Sequence, residues 1–163
     1  FSNSSLGSTG NSKSFYHIPP AKPPQPVVRL EELQYTYGKT GRGTITKNTH
    51  YNGRPLTVKG ARYERGISVH SPSELRYNID PSYKKFVCSA GVNDGNHDIG
   101  TVAFVVSVDG KKVAESPVIG MGTIWHFNVD LPAGAKELKL VVTDGGDNNS
   151  CDDANWINGG FTK

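Results

Sequence analysis

The chain has 163 residues, which is the size of a single domain. Its formal net charge is only +3, too small to indicate nucleic-acid binding, and the sequence has no apolar run long enough to span a membrane. With 19 glycines, 10 prolines and only 35% hydrophobic residues, the composition indicates many turns or a loosely packed segment.

The first 27 residues differ from the rest of the chain. Residues 1–14 are rich in serine and glycine, which is typical of a flexible tether. The following PPAKPPQP, Pro19–Pro26, is expected to be extended and semi-rigid. A ligand for an SH3-type domain is one interpretation, and a spacer between modules is the one that we favour. We therefore predict a tail or linker over 1–27 and one domain over 28–163. Because the chain begins with phenylalanine, we expect a processed chain or a piece of a larger protein.

The pattern after Val27 predicts an all-β domain. VVRLEEL is either a short helical turn or an entry strand, and no window of a dozen residues carries an uninterrupted helical stripe. Short strands separated by turn signals predict a β-sandwich or jelly roll. Asp109-Gly110 predicts a tight hairpin. The predicted strands are Thr44–Ile45, Leu56–Val58, Ile67–His70, Ser73–Asn78, Lys85–Val92, Thr101–Val108, Lys111–Glu115, Ile124–Val129 and Glu137–Val142.

The two cysteines lie too far apart in sequence for a metal knuckle or a redox pair. Cys88 lies in an apolar strand, which favours a small core residue. A Cys88–Cys151 disulfide in an exported protein is the alternative.

Catalytic signatures are missing from the sequence. It contains neither GxSxG nor HExxH, and its five histidines are scattered rather than spaced as helical metal ligands. We therefore expect a protein that is not an enzyme. Hydrolysis of an aryl-galactoside by the isolated chain would contradict that expectation.

The stretch TDGGDNNSCDDANW, Thr143–Trp156, follows the strand KELKLVV and holds most of the candidate site residues. Hard cations bind several carboxylate and carbonyl oxygens of flexible loops, so Asp144 and Asp147 are candidate calcium ligands. Neither this loop nor GVNDGNHDIG has EF-hand spacing. Aspartate and glycine that only build the turns are the alternative.

Sugar recognition requires planar hydrogen-bonding groups beside an aromatic ring, and this stretch has that composition. We interpret it as a loop after the last main strand, with Trp156 stacking on a sugar and nearby polar groups binding hydroxyls. The alternatives are that Trp156 packs in the core and that His70 is a buried structural histidine. The candidate carbohydrate-binding residues are His70, Asn93, Asp94, Asp152, Asp153 and Trp156.

Four segments, in order, resemble one known family. They are RYERGISVHSPSEL (62–75), FVCSAGVNDG (86–95), VAFVVSVDGKKVAES (102–116) and KELKLVVTDGGDNNSCDDANW (136–156). These blocks are similar to the NPCBM domain, also called carbohydrate-binding module family 51, and the likeness covers about residues 28–163.

The resemblance implies a galactose-binding-domain-like β-sandwich that is non-catalytic and often carries a structural calcium. It also implies attachment to secreted or cell-surface bacterial glycoside hydrolases and binding of galactose-containing glycans. By position, the resemblance implies that the rim of the sugar-binding site contains His70, the Asn93–Asp94 turn and Asp152–Trp156. The turn here reads VNDG where the family has VDDE-like residues, and Asn155 stands where the family commonly has aspartate. Both departures affect the expected calcium site or sugar preference.

We therefore expect a carbohydrate-binding module that directs an attached or partner glycoside hydrolase to a galactose-containing glycan, with no nucleic-acid partner and no membrane insertion. A structural or protein-docking sandwich without sugar binding is the alternative.

Overall fold

The computed structural model describes residues 20–95, 100–145 and 153–163. They form antiparallel strands and one 3₁₀ turn at Leu30–Glu32. The strands are β1 (Val28–Arg29), β2 (Tyr37–Lys39), β3 (Thr46–Lys47), β4 (Leu56–Val58), β5 (Ala61–Tyr63), β6 (Gly66–His70), β7 (Ser73–Asn78), β8 (Lys85–Val92), β9 (Thr101–Val108), β10 (Lys111–Glu115), β11 (Ile119–Gly120), β12 (Ile124–Asp130), β13 (Glu137–Thr143) and β14 (Asp153–Thr162).

Two sheets face each other across the core. The first has the order β12-β8-β14-β6-β3, with β1 paired to β14, and the second has the order β10-β9-β13-β7-β2, with β11 paired to β9. Strand β13 shows how the sequence specifies the sandwich: Leu138, Leu140 and Val142 alternate with half-buried residues and are fully buried. The predicted all-β sandwich is confirmed.

The hairpin β4–β5 covers the outer face of the first sheet. Leu56 and Val58 pack with Ile157 of β14 in a small second apolar cluster. Strand β8 is therefore covered on both faces, which explains why nearly all of its residues are buried although they do not alternate.

Most strand predictions are confirmed, five of them with identical bounds: 56–58, 73–78, 85–92, 101–108 and 111–115. The predicted hairpin is confirmed as well, because Asp109 (φ 52°) and Gly110 (φ 81°) both adopt the left-handed conformation of a primed turn. Both readings of VVRLEEL hold, since β1 leads directly into the 3₁₀ turn.

Two predictions about strands are wrong. The strand predicted at Thr44–Ile45 lies instead at Thr46–Lys47. More importantly, β13 is not the last main strand, because β14 follows it and pairs with both β8 and β6. Asn158-Gly-Gly resembles a turn, but the chain absorbs it as an irregularity inside β14, where the register to β8 shifts and Asn158 has φ 50°.

The end of the proline-rich segment packs on the domain, whereas most of its described residues before Pro26 are exposed. Pro26 is buried, and a methyl group on Gly160 would come within 2.8 Å of Pro26 Cβ. The Val27 N–H donates to Phe161 O (2.9 Å), and Arg29 Nη2 donates to Gln25 Oε1 (3.2 Å).

Cys88 is a buried free thiol in β8, which confirms its prediction as a core residue. Burial raises the pKa of this thiol well above its ordinary value. Cys151 lies outside the described residues. In the described part of the chain, no helix is long and apolar enough to cross a membrane.

Candidate functional site

Three predicted site residues meet at one end of the first sheet. Asp153 begins β14 and lies opposite His70, the last residue of β6. The Asn93 N–H, just past the end of β8, donates to Asp153 O (2.9 Å). Because β14 is antiparallel to both neighbours, its start meets their ends, and segments far apart in sequence come together.

Asp153 forms a buried pair with His50, a residue of the segment between β3 and β4. Asp153 Oδ2 lies 2.9 Å from His50 Nε2, and both side chains are nearly inaccessible. Burial lowers the pKa of His50, but the hydrogen bonds with Asp153 and Asn52 and the charge of Asp153 outweigh burial, so the pKa is raised above its ordinary value of 6.5.

His70 lies behind this pair. Its Nδ1 is 2.6 Å from Ser71 O, and because a carbonyl can only accept, Nδ1 is the donor. Its Nε2 lies 4.0 Å from Asp153 Oδ1. That carboxylate oxygen is buried and has no hydrogen-bond partner among the described residues. His70 is thus the buried histidine of the alternative interpretation, but it adjoins the site.

Asn93 and Asp94 hold the β4–β5 hairpin to the sheet. Asn93 Oδ1 accepts from the Thr57 N–H (3.2 Å) and from Asn155 Nδ2 (2.8 Å). The Asp94 carboxylate accepts from the backbone N–H groups of Lys59 (3.1 Å) and Gly60 (2.8 Å). Most of their hydrogen-bonding capacity therefore serves to shape the loop.

A cavity of about 500 Å³ opens beside the His50–Asp153 pair. This volume lies within the range of about 300–1,000 Å³ that is usual for small-molecule sites. Tyr51 is 47% exposed, and its ring centroid lies 4.3 Å from that of His50. The cavity therefore joins an aromatic surface to planar polar groups. It is lined by His50, Tyr51, Asn52, Arg54, Pro55, Thr57, Asn93, Asp94, Gly95 and Asp153.

Trp156 belongs to the core, so the prediction that it stacks on a sugar is wrong. It has 0% exposure, and its ring lies 5.0 Å from that of Phe104 and 6.0 Å from that of Phe127. The reason is the unpredicted strand: because β14 runs through the middle of the first sheet, Trp156 points between the two sheets. The core-packing alternative is confirmed.

The predicted calcium ligands are only partly described. Asp144 follows β13 and is half-buried, whereas Asp147 and Asp152 lie outside the described residues. Within the described ranges, no group of three or more His, Cys, Asp or Glu side chains is placed to hold a metal ion.

The segment THYNGRPL supplies cavity residues that the sequence prediction missed, among them His50, Tyr51, Asn52 and Arg54. It lies outside the four family-like blocks. A usable signal was present nonetheless, since an aromatic ring beside planar polar side chains is the composition that singled out 152–156.

Comparison with known proteins agrees with this geometry. The two-sheet antiparallel sandwich is a fold found in carbohydrate-binding modules. The NPCBM/NEW2 domain model matches residues 27–162, so the chain belongs to the NPCBM/NEW2 domain family.

Two similar solved structures come from Clostridium perfringens. One is the CBM51 of GH95 in complex with methyl-galactose, with a TM-score of 0.78, 32% identity and coverage of 83% of this chain and 99% of that chain. The other contains the CBM51-2 domain in complex with GlcNAc and the INT domains of ZmpB. It has a TM-score of 0.75 and 28% identity, and the match covers 82% of this chain and 31% of that chain.

Two longer proteins also match. Alpha-1,3-galactosidase B of Akkermansia muciniphila is 24% identical over 133 residues, which are 80% of this chain and 16% of that protein. A protein of Renibacterium salmoninarum, proposed to be an endo-alpha-N-acetylgalactosaminidase, is 28% identical over 154 residues, 90% of this chain and 10% of that protein. The chain therefore spans less than a fifth of the length of either.

Proposed function

We propose that this domain is a non-catalytic carbohydrate-binding module for galactose or galactose-containing glycans. The observation that carries the proposal is the exposed Tyr51 ring beside the buried His50–Asp153 pair, at the mouth of a cavity of about 500 Å³. Membership of the NPCBM/NEW2 family and the fold shared with CBM51 modules support a carbohydrate as the ligand.

The chemistry of the cavity suits a pyranose. The Tyr51 ring offers a face for the apolar C–H side of the sugar, and the aromatic contact is the main source of affinity. Arg54 and Asn52 offer donors to hydroxyl oxygens, while Asp153 offers an acceptor. Asp153 Oδ1 has no donor in the described structure, so a ligand hydroxyl that reached it would remove the cost of an unpaired buried oxygen.

Galactose is the first sugar to test because a relative 32% identical to this chain was solved with methyl-galactose. N-acetylglucosamine is the informative comparison, since another relative of similar fold was solved with it. The Asn93–Gly95 turn and Asn155, which depart from the family pattern, lie at or directly behind the cavity and are expected to affect the preference.

We further propose that the domain works within a larger, secreted carbohydrate-active protein. The support is that it spans 10% and 16% of two longer proteins, one of them named as a galactosidase. Held on such a protein, a weakly binding module raises the effective concentration of its neighbour at the glycan surface.

A structural calcium bound through Asp144 and Asp147 remains part of the proposal. Carboxylate oxygens on a loop after a strand suit this ion. Calcium bound there would lie in the connection between β13 and β14, which leads into Asp153.

The proposal is tested by calorimetric titration of the whole chain with methyl β-galactoside and with N-acetylglucosamine, each in calcium and then in chelator. Tyr51→Ala should lower the affinity at least about tenfold, or about 1.4 kcal/mol, because the stacking surface is lost. Tyr37→Ala is the matched control: Tyr37 is 41% exposed on β2, in the other sheet, and should leave the affinity unchanged.

Three outcomes would decide against parts of this proposal. No heat with either sugar from a folded sample would exclude the galactose and N-acetylglucosamine readings and leave the docking alternative. Equal losses for the Tyr51 and Tyr37 variants would place the sugar elsewhere. Unchanged binding and unchanged thermal stability in chelator would exclude the calcium role.

A further inference from the structure

A groove of about 470 Å³ lies between the edge strands β10 and β12, where the two sheets of the sandwich meet. Strand β12 turns alternate side chains inward: Phe127 is buried in the core, and Trp125 and Val129 are half-buried against it. From β10, Val113 is 40% exposed at a bulge in the pairing with β9. The apolar residues that line the groove are Pro20, Val113, Ala114, Trp125, Phe127 and Val129.

The two acidic side chains that line the groove already have partners. Glu115 Oε1 accepts from Lys112 Nζ (2.8 Å), and Asp130 Oδ1 lies 3.0 Å from Lys85 Nζ. The alternation of β12 directs its other polar side chains to the outer face of the first sheet. The surface between β10 and β12 therefore suits an apolar occupant.

The chain itself leads to this groove. From Pro26, which packs on Gly160, the proline-rich segment runs back to Pro20, a span of about 19 Å if it is fully extended as polyproline II. Along this course, Lys22 comes close enough to His126 of β12 for its charge to add to burial in lowering the pKa of that histidine. Pro20, the first described residue, thus lies in the lining of the groove.

The segment that directly precedes Pro20 is the most apolar part of the first 27 residues. It is FYHIP, residues 15–19, and it lies outside the described residues. The prolines that follow Ile18 favour an extended chain, in which this segment reaches about 15 Å. The lining from Trp125 to Val129 is about 13 Å long at the usual rise of a strand, so the segment is long enough to cover it.

We propose that residues 15–19 bind in the groove between β10 and β12, with the side chains of Phe15 and Ile18 against Trp125 and Val113. Phe15 and Ile18 are one turn of a polyproline II helix apart, so both side chains point to the same side of the segment. Burial of these side chains is favourable, and the same contact shields the edges of β10 and β12 from pairing with another chain. The folded domain then begins at residue 15, which leaves residues 1–14 as the tether. This inference goes beyond the proposed function, because no sugar takes part in it.

The two tryptophans of the whole chain report the groove and the core separately in NMR spectra, because Trp156 is fully buried and Trp125 is half-buried at the groove. We expect nuclear Overhauser contacts between the methyl groups of Ile18 and the Trp125 ring. The double variant Phe15→Ala/Ile18→Ala should shift the indole N–H signal of Trp125 and leave that of Trp156 in place.

The matched control is Phe1→Ala/Leu6→Ala, which removes a phenylalanine and a branched aliphatic side chain from the polar part of the same tail. It should shift neither tryptophan signal. Only the variant at positions 15 and 18 should lower the midpoint of thermal unfolding, by at least about 2 °C.

Val113→Ser tests the groove from the other side of the contact. It should lower the thermal midpoint of the wild type clearly more than that of Phe15→Ala/Ile18→Ala, because the two changes remove the same contact. The affinity for methyl β-galactoside at the cavity beside His50 should be the same in all of these proteins, since Val113 does not line that cavity.

Three outcomes would overturn this inference. The first is the lack of contacts between Ile18 and Trp125 together with an unchanged Trp125 signal in Phe15→Ala/Ile18→Ala. The second is an equal effect of Phe1→Ala/Leu6→Ala. The third is a Trp125 signal that moves with protein concentration, which would assign the groove to the tail of a second copy of the chain.

Discussion

Two aromatic residues show how burial decides the role of a side chain. Trp156 looks like a stacking platform in sequence because aspartate and asparagine flank it, yet it is fully buried. Tyr51 lies in a segment outside the family-like blocks, yet its ring is exposed at the cavity. Composition alone cannot separate the two cases. What separates them is whether the residue lies in a strand, and on which face of the sheet.

Replacement of Trp156 by alanine is therefore expected to destabilise the domain rather than only to abolish binding. Removing a fully buried indole that packs between Phe104 and Phe127 should cost about 3–5 kcal/mol of unfolding free energy. Urea unfolding measures this, and Trp125→Ala, at a half-buried position, should cost clearly less. A Trp156→Ala protein that keeps wild-type stability would contradict the core assignment.

His50 makes stability depend on pH in a defined direction. Its pKa is raised in the folded protein, so protonation favours folding. The contribution of His50 to the free energy of unfolding is complete below its pKa of 6.5 in the unfolded chain, and it is lost as pH rises through its pKa in the folded protein. Urea unfolding of the wild type and of His50→Asn gives the difference between their free energies of unfolding. This difference should be larger at about pH 5.5 than at about pH 8.5. A difference that is equal at both pH values, or larger at about pH 8.5, would refute the role of the Asp153 pair.

About half of the candidate site could be predicted from the sequence. Asp153, Asn93 and Asp94 were found because the segments that carry them match the family blocks. His50 and Tyr51 were not found, because the segment before β4 has neither periodicity nor a family-like block, and only the fold brings it to Asp153. Asp152 and Asp147 lie outside the described residues and stay predictions.

Single elements were predicted well where alternation and turn chemistry agreed. Strand β10 and the turn at Asp109-Gly110 are examples, because the turn residues and the strand pattern specify the same hairpin. Strand β14 was missed because its Asn158-Gly-Gly segment has the composition of a turn. The chain tolerates these glycines because neighbouring backbone lies very close there: a methyl group on Gly160 would come within 2.0 Å of Val28 O.

The β4–β5 hairpin links packing to the shape of the cavity, and Gly91 of β8 tests that link. A methyl group added there would lie 2.4 Å from Val58 Cγ1 and 2.9 Å from Thr123 O. Gly91→Ala should therefore push the hairpin away, cost about 1–3 kcal/mol, and weaken sugar binding because Thr57, which bonds Asn93, moves with it. Thermal unfolding and calorimetry measure the two effects.

Gly120→Ala serves as the milder comparison for this change, because its added carbon keeps 3.2 Å from the nearest atom and lies away from the hairpin. Full sugar affinity in a destabilised Gly91→Ala protein would show that the position of the hairpin does not shape the cavity.

At the scale of the whole molecule, the candidate cavity and Lys163 lie at opposite ends of the sandwich. Strand β14 begins at the cavity with Asp153 and runs for 10 residues, which is about 33 Å at the usual rise per residue. Val28 pairs with Phe161, so β1 also lies at the end away from the cavity. A neighbour joined after Lys163 would therefore lie behind the domain, with the cavity facing away from it.

The course of β14 also has a mechanical consequence. A pull on Lys163 against a ligand held at Asp153 acts along the strand, so the ladder bonds to β6 and β8 are loaded in shear and share the force. A pull between Val28 and Lys163 instead acts across the short β1–β14 pairing, whose bonds can open one after another. The same fold is thus expected to resist a pull between Asp153 and Lys163 more strongly than a pull between Val28 and Lys163.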